Sequence, residues 1–225
     1  MIRFLYSFIY FSSLFLRKKY FDVVFYTPTY FNRGENGENL YFKHLIDACV
    51  RNNLSYIVFD EPSNTRHTRS NESIPFDFVY YLIIILRKFM NVKNDTIQTD
   101  NNIGNFLSNT FFLNFQFANY IVLSQSMLSI FSRIDKSANM FDLQHGIIYT
   151  NKTAYFSDNI LSQQLKRNNV SLLLNGDLFK QILINNGDQE FILKKSHVIG
   201  VKKNNCIFHE SANKNVARPS AFSKF

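Results

Sequence analysis

The stretch 140-MFDLQHGIIYT-150 decides how the rest of the chain is read. Its first part reads as a short strand buried on both faces of a sheet. The run then stops at Gln144-His145-Gly146. A polar pair and a glycine at a strand end suggest a turn, a ligand-binding lip, or both.

Working outward, the same pattern recurs: a short apolar run, then polar or glycine residues, then a helical period. Strands are expected at Phe21 to Tyr26, Ser55 to Pro62, Tyr120 to Ser124, Met140 to Gln144, Ser171 to Asp177 and His197 to Gly200. Asn205 to Ser211 reads as the opening strand of something further. Helices are expected at Phe42 to Val50, Phe76 to Met90, Gly104 to Phe117 and Ser126 to Ile134. After the fifth strand, Leu178, Phe179, Ile182 and Leu183 make the buried face of another, with Gly187 as a left-handed cap. Strands apolar on both faces, alternating with helices, predict an α/β fold: a Rossmann-like, mainly parallel sheet with helices on both faces.

The chain has 225 residues, enough for one large domain or one domain plus part of another. The abundant apolar and aromatic residues allow a sizeable core. A formal charge of +8 favours a phosphate-bearing partner or an anionic membrane face. The cations are scattered, and clusters occur only at Arg17-Lys18-Lys19, Lys194-Lys195 and Lys202-Lys203. No aromatic-interleaved basic stripe exists, so nucleic acid is not the expected partner. Cys49 and Cys206 match no metal or redox spacing and fit a reduced, cytoplasmic setting.

Residues 1–20 are apolar and aromatic with a basic end. Serines interrupt the run, and its uninterrupted part is too short to cross a bilayer, as is 76-FDFVYYLIIILRKFM-90. Both read as helices packed on a core. The first also suits a membrane surface, with its Arg-Lys-Lys among lipid headgroups.

In open parallel sheets, ligands bind beyond the carboxyl ends of the strands. The unusual residues fall there: Gly34-Glu35-Asn36-Gly37-Glu38-Asn39, Gln144-His145-Gly146, Asn175-Gly176-Asp177 and Gly200. The Gly34/Gly37 loop precedes a helix, where free N–H groups attract phosphate or carboxylate. It fits neither nucleotide-binding glycine fingerprint. Glu35 or Glu38 could act as a base, or both could be solvated.

His145 can accept a proton from a hydroxyl near neutral pH. Gly146 clears room beside it, and Gln144 faces away or orients a neighbour. By spacing alone, a strand-capping role for His145 is the stronger reading. His44 and His67 read as surface residues and His197 as structural, while His209-Glu210 could line a cleft. Asp60-Glu61 reads as a solvated turn, with ribose or magnesium binding as the alternative. No metal-ligand spacing and no cofactor fingerprint occurs, so neither is expected.

The segments 141-FDLQHGIIYT-150, 171-SLLLNGDLFKQILINNG-187 and 197-HVIG-200, in that order, resemble a run in GT-B-type glycosyltransferases of bacterial surface and capsular polysaccharide biosynthesis. CDP-glycerol glycerophosphotransferase-like and UDP-GlcNAc 2-epimerase-like proteins share that architecture. The resemblance spans about Asp22 to Ser211 and is most specific from Leu143 to Gly200.

It implies that residues 21–200 form the acceptor-side, N-terminal domain. Residues 201–225 would be a linker and the first strand of a second domain that is truncated here. It implies His145 as the base toward the acceptor hydroxyl and the loop from Gly34 to Glu38 facing the donor diphosphate. Gln144, Gly146, Asn175 and Gly176 would line the substrate, with no metal required. The expected reaction moves a sugar or related group from a nucleotide-sugar donor to a glycan or lipid-linked acceptor. The setting would be cytoplasmic or peripheral to the inner membrane face. Transfer needs both walls of such a cleft, so the chain alone is expected to turn over poorly unless a second half-domain joins it. The alternative is a non-catalytic glycan- or nucleotide-binding or scaffold domain.

Overall fold

The computed structural model describes residues 2–28, 31, 38–62, 73–93, 95–149, 155–157 and 160–200. In chain order the elements are α1 (Ile2–Leu16), β1 (Lys19–Thr27), α2 (Lys43–Arg51), β2 (Tyr56–Asp60), β3 (Ile74–Pro75), α3 (Asp77–Phe89), α4 (Thr96–Ser108), β4 (Phe115–Leu123), α5 (Leu128–Ile134) and β5 (Asn139–Leu143). A small antiparallel hairpin, β6 (Phe156–Ser157) and β7 (Ile160–Leu161), follows. The series closes with α6 (Gln163–Arg167), β8 (Ser171–Leu174), α7 (Asp177–Asn186), α8 (Gln189–Lys195) and β9 (Ser196–Val198).

Seven strands form one sheet in the order β3-β2-β1-β4-β5-β8-β9, and every pairing in it is parallel. This is a Rossmann-like α/β fold. Side chains alternate across the sheet as a period of two requires. Val24, Tyr26, Ile57, Phe59, Tyr120, Val122, Leu172 and Leu174 join one core. Val23, Phe25, Val58, Ile121, Leu123 and Leu173 join the other. The cover is uneven. Residues of α1, α3, α4, α5, α6, α7 and α8 enter the first core, whereas among the described residues only α2 contributes a helix to the second.

The first core is built on aromatic rings. Phe131 stacks on Tyr120 at 4.2 Å and meets Phe59, Phe76, Phe112 and Phe117 obliquely. Offset and edge contacts of this kind add to simple burial.

Helix α1 is anchored at its start. The Arg3 guanidinium donates to Asp77 Oδ2 at 2.8 Å and to Asp60 Oδ2 at 3.2 Å. It also reaches the carbonyls of Asp60 and Glu61. Asp60-Glu61 is therefore no solvated turn. Asp60 is buried against Arg3, and Glu61 accepts from the Tyr26 hydroxyl at 3.3 Å. Ser7, which breaks the apolar run of α1, caps its neighbour: its Oγ accepts from Phe78 N at 3.0 Å. Residue Phe76, at the N-cap of α3, gives that helix no side-chain cap.

Three expectations are corrected. The helix expected over Gly104 to Phe117 runs from Thr96 to Ser108, because Asp95 caps it by accepting from Gln98 N at 2.9 Å. By Phe115 the chain is already strand, with Phe115 and Phe117 buried and Gln116 exposed between them. Gly187 is extended (φ −130°, ψ −150°) and is no left-handed cap. A Cβ there would lie 2.7 Å from Leu183 O, so close approach accounts for the glycine. Leu178, expected on the buried face of α7, is exposed.

Candidate functional site

Strand order reverses between β1 and β4, and a doubly wound sheet opens a crevice at the carboxyl ends of such a pair. The residues at that rim are Thr27 on β1, Ser124 just past β4, and His145 just past β5. Parallel register holds them side by side, with Tyr26 beside Val122 and Leu123 beside Leu143.

His145 is half-buried at this rim. Its Nε2 lies 3.1 Å from Ser124 Oγ. The Phe31 ring, beyond β1, meets the imidazole edge-on at 4.7 Å between centroids. The ring therefore bridges the two sides of the switch point.

Ser124 projects from an unusual turn. Ser124, Gln125 and Met127 have φ of 56°, 58° and 58°, a left-handed conformation that costs a side-chain-bearing residue about 1 kcal/mol or more. The turn is held from several directions. Gln125 N donates to Asp142 Oδ1 at 2.8 Å. Tyr120 donates to Ser126 O at 2.8 Å. Ser162 donates to Gln125 Oε1 at 3.3 Å.

Asp142 is buried in the middle of β5 and also accepts from the Tyr155 hydroxyl at 3.1 Å. Burial pushes its carboxyl up to about 7, against the downward pull of the Gln125 N–H and the Tyr155 hydroxyl.

A strained strand-to-helix turn carrying a serine next to a histidine invites comparison with hydrolase nucleophiles. The hydrogen bonding argues otherwise. An acyl-transfer site uses the backbone N–H after its serine to hold an oxyanion, and here that N–H, on Gln125, is engaged by Asp142.

Two buried polar groups lie on the β1 side. Thr27 Oγ1 has no hydrogen-bond partner among the described residues, although Thr27 is only 2% exposed. Asn39 begins the approach to α2, and its Oδ1 accepts from Tyr41 N at 2.9 Å and Phe42 N at 3.2 Å. Its Nδ2 is likewise buried and without a partner among the described residues. Such groups are costly and uncommon in native folds.

The sequence-predicted residues fall into groups. His145 and Gly146 lie at the switch-point rim, and Glu38 is half-buried next to Asn39 before α2. Gly34, Glu35 and Gly37 lie outside the described residues, as do residues 201–225. Gln144 is buried and acts as a bracket. Its Nε2 donates to Gly146 O at 2.7 Å, and its Oε1 accepts from Asn175 N at 2.8 Å. Asn175 returns a bond to Gln144 O at 3.3 Å. The pair thus locks the ends of β5 and β8 together and orients the His145-Gly146 segment. Gly176 opens α7 in an extended conformation, with only Phe179 Cδ2 within 4.0 Å of an added Cβ. Space alone does not demand a glycine there.

Thr27, Ser124, Asp142 and Tyr155 were not singled out from the sequence. Only Asp142 carried a signal, a carboxylate inside an otherwise apolar strand.

Among the described residues no three His, Cys, Asp or Glu side chains group to hold a metal ion. A separate cavity of about 250 Å3 lies at the opposite, amino end of β5 and β8, lined in part by Arg133, Arg167 and Lys195. These cations stand in the last turns of α5, α6 and α8. There they complement the negative helix ends.

Compared with known proteins, the chain matches no family model, no curated protein and no solved structure. The fold and the rim geometry therefore carry the functional argument.

Proposed function

We propose that this chain is a glycosyltransferase-like domain that takes a nucleotide-sugar donor and a hydroxyl acceptor at the crevice between β1 and β4. The observation that carries this reading is the half-buried His145, paired with Ser124 at the topological switch point, on the same rim as the Thr27 hydroxyl, which has no partner among the described residues. The resemblance of the Gln-His-Gly segment to surface-polysaccharide glycosyltransferases supports it.

In this reading an acceptor hydroxyl replaces Ser124 at Nε2 and gives its proton to the imidazole as its oxygen attacks the sugar's anomeric carbon. The bond from that carbon to the nucleotide diphosphate breaks, and the nucleotide departs with the electron pair. Ser124 fixes the ring beforehand, and Thr27 and Asn39 supply hydrogen bonds to donor or acceptor. Glu38, with Glu35, Gly34 and Gly37, belongs to the loop on the diphosphate side. Gln144, Asn175, Gly146 and Gly176 shape the far side.

The test is a nucleotide-sugar panel read by thermal shift, with wild type, His145→Ala and Thr27→Val. A ligand at about a hundredfold over its Kd stabilises by ~2.7 kcal/mol, or roughly 5–10 °C for a domain of this size. The expected result is one donor class giving such a shift, weakened in both variants. No shift with any nucleotide sugar, or equal shifts in all three proteins, overturns the proposal. Equal shifts select the non-catalytic glycan- or nucleotide-binding domain instead.

Among the described residues no helix is long and apolar enough to cross a membrane. We infer that the chain works at the cytoplasmic face of the plasma membrane as a peripheral protein. The exposed apolar side of α1 supports that reading.

A further inference from the structure

Helix α1 breaks the usual rule for a surface helix. Its inward side buries Ser7, Phe11 and Leu14. A solvated outward side would carry charge. Here it exposes Ile2 (85%), Leu5 (57%), Ile9 (58%) and Leu16 (79%). The only charged residue of the helix, Arg3, is turned inward onto Asp60 and Asp77.

Helix α3 extends the surface. Phe4 meets Phe78 and Tyr81, and Phe8 meets Phe78. Beyond these contacts α3 exposes Ile84, Ile85 and Phe89 (82%). The two helices thus share a continuous apolar face far larger than scattered exposed residues would make.

Charge decides what covers it. The only carboxylate on α1 and α3 is Asp77, which is buried against Arg3. Among the described residues, the exposed charges on or next to these helices are cations, Arg17 and Lys18 after α1 and Lys88 in the last turn of α3, where Arg87 is paired with Asp100 of α4 at 2.9 Å. A two-fold pairing with a second copy sets the same patch against itself, bringing those cations together. An anionic lipid surface has the opposite sign and accepts apolar side chains. Exposed apolar side chains flanked by basic residues suit an anionic membrane interface, the former entering the acyl boundary and the latter meeting the headgroups.

Resting on the peripheral reading and naming its surface, we propose that the joint outward face of α1 and α3 docks onto an anionic bilayer. Leu5, Ile9 and Ile85 would enter the acyl boundary, with Arg17, Lys18 and Lys88 among the headgroups. The amino end of α1 is tied by Arg3 to Asp60, which lies beside Thr27 in the β1–β2 register. This anchor and the switch-point rim share the carboxyl end of the sheet, with β1 and β4 between Asp60 and His145, three strand spacings of ~4.8 Å.

The test is co-sedimentation of the full chain with vesicles of phosphatidylcholine, with and without phosphatidylglycerol. Wild type should bind the phosphatidylglycerol vesicles, less at high salt, and bind phosphatidylcholine alone weakly. Leu5→Glu with Ile9→Glu should weaken binding about tenfold or more. The chain has no Trp, so Ile9→Trp gives a clean reporter should the double variant misfold. Its emission should shift blue on phosphatidylglycerol vesicles.

Wild-type binding that the double variant keeps overturns this surface while leaving the peripheral reading standing. No wild-type binding at all, or no blue shift, overturns the proposal, and the former removes the peripheral reading too. A wild-type dimer that the double variant converts to monomer shows that a second copy covers the face, and also overturns it.

Discussion

Asp142 sets an ionisable group inside a strand that otherwise buries hydrocarbon. Gln125 N and the Tyr155 hydroxyl, which both donate to it, hold the turn that presents Ser124 to His145. Its carboxyl is pushed from the ordinary 3.8 up to about 7, mainly by burial. The folded chain therefore keeps a proton that the unfolded chain has released. Between about pH 4 and 7 each step upward favours unfolding, and above that window the effect is constant. Asp142→Asn preserves an acceptor for Gln125 N and cannot ionise. The stability of wild type relative to this variant should fall by ~4 kcal/mol from pH 4 to pH 8, measured by urea unfolding at each pH. A flat difference would show that Asp142 does not titrate in that range. Of the site, the sequence reveals the polar strand ends, such as Gln144-His145-Gly146, because such residues stand out against apolar runs. It does not reveal Ser124 as the partner of His145. That pairing depends on β4 lying beside β5, and nothing local encodes it.

Helix α1 is held by the burial of Phe11 and Leu14 and, at its start, by one guanidinium. Arg3 ties it to the end of β2 and the start of α3, and the side chains of Arg3, Asp60 and Asp77 are 16%, 4% and 12% exposed. Removing one member of a buried ion network leaves the others uncompensated. Arg3→Ala should therefore cost roughly 3–5 kcal/mol, read by urea denaturation. Arg3→Lys should recover only part of it, since an ammonium cannot span both carboxylates as the planar fork does. The positions of β1, β2, β5, β8 and β9 are legible because apolar runs are distinctive, whereas the two-residue strands β3, β6 and β7 and the first half of β4 are not. The start of helix α4 is hidden in the sequence because its first turns, Thr96 to Asn102, are largely polar, so the apolar period starts late while the Asp95 cap starts early. Gly104 does not start the helix. It lies within α4, where an added Cβ would come 2.5 Å from Ile130 O and 2.8 Å from Arg133 Cβ, so it marks the crossing with α5.

At the scale of the whole molecule, alternating strand and helix patterns were enough to predict a parallel sheet covered on both sides. They did not give the order β3-β2-β1-β4-β5-β8-β9, because parallel neighbours are distant in sequence and their pairing is settled by packing. That order puts β4 at the centre with the long β1 beside it, each hydrogen-bonded on both edges and buried toward its carboxyl end. Amide hydrogen exchange should therefore be slowest in Val23 to Tyr26 and Tyr120 to Leu123, and much faster in the short edge strands β3 and β9. Equal protection across the sheet would contradict that hierarchy. The left-handed turn after β4 has a consequence for this balance. Glycine would adopt the backbone of residues 125 and 127 without steric cost. A laboratory lineage selected for heat tolerance alone should drift toward glycine at both positions. One selected also for ligand capture should retain the serine hydroxyl at 124, so the two regimes would leave different imprints on the same loop.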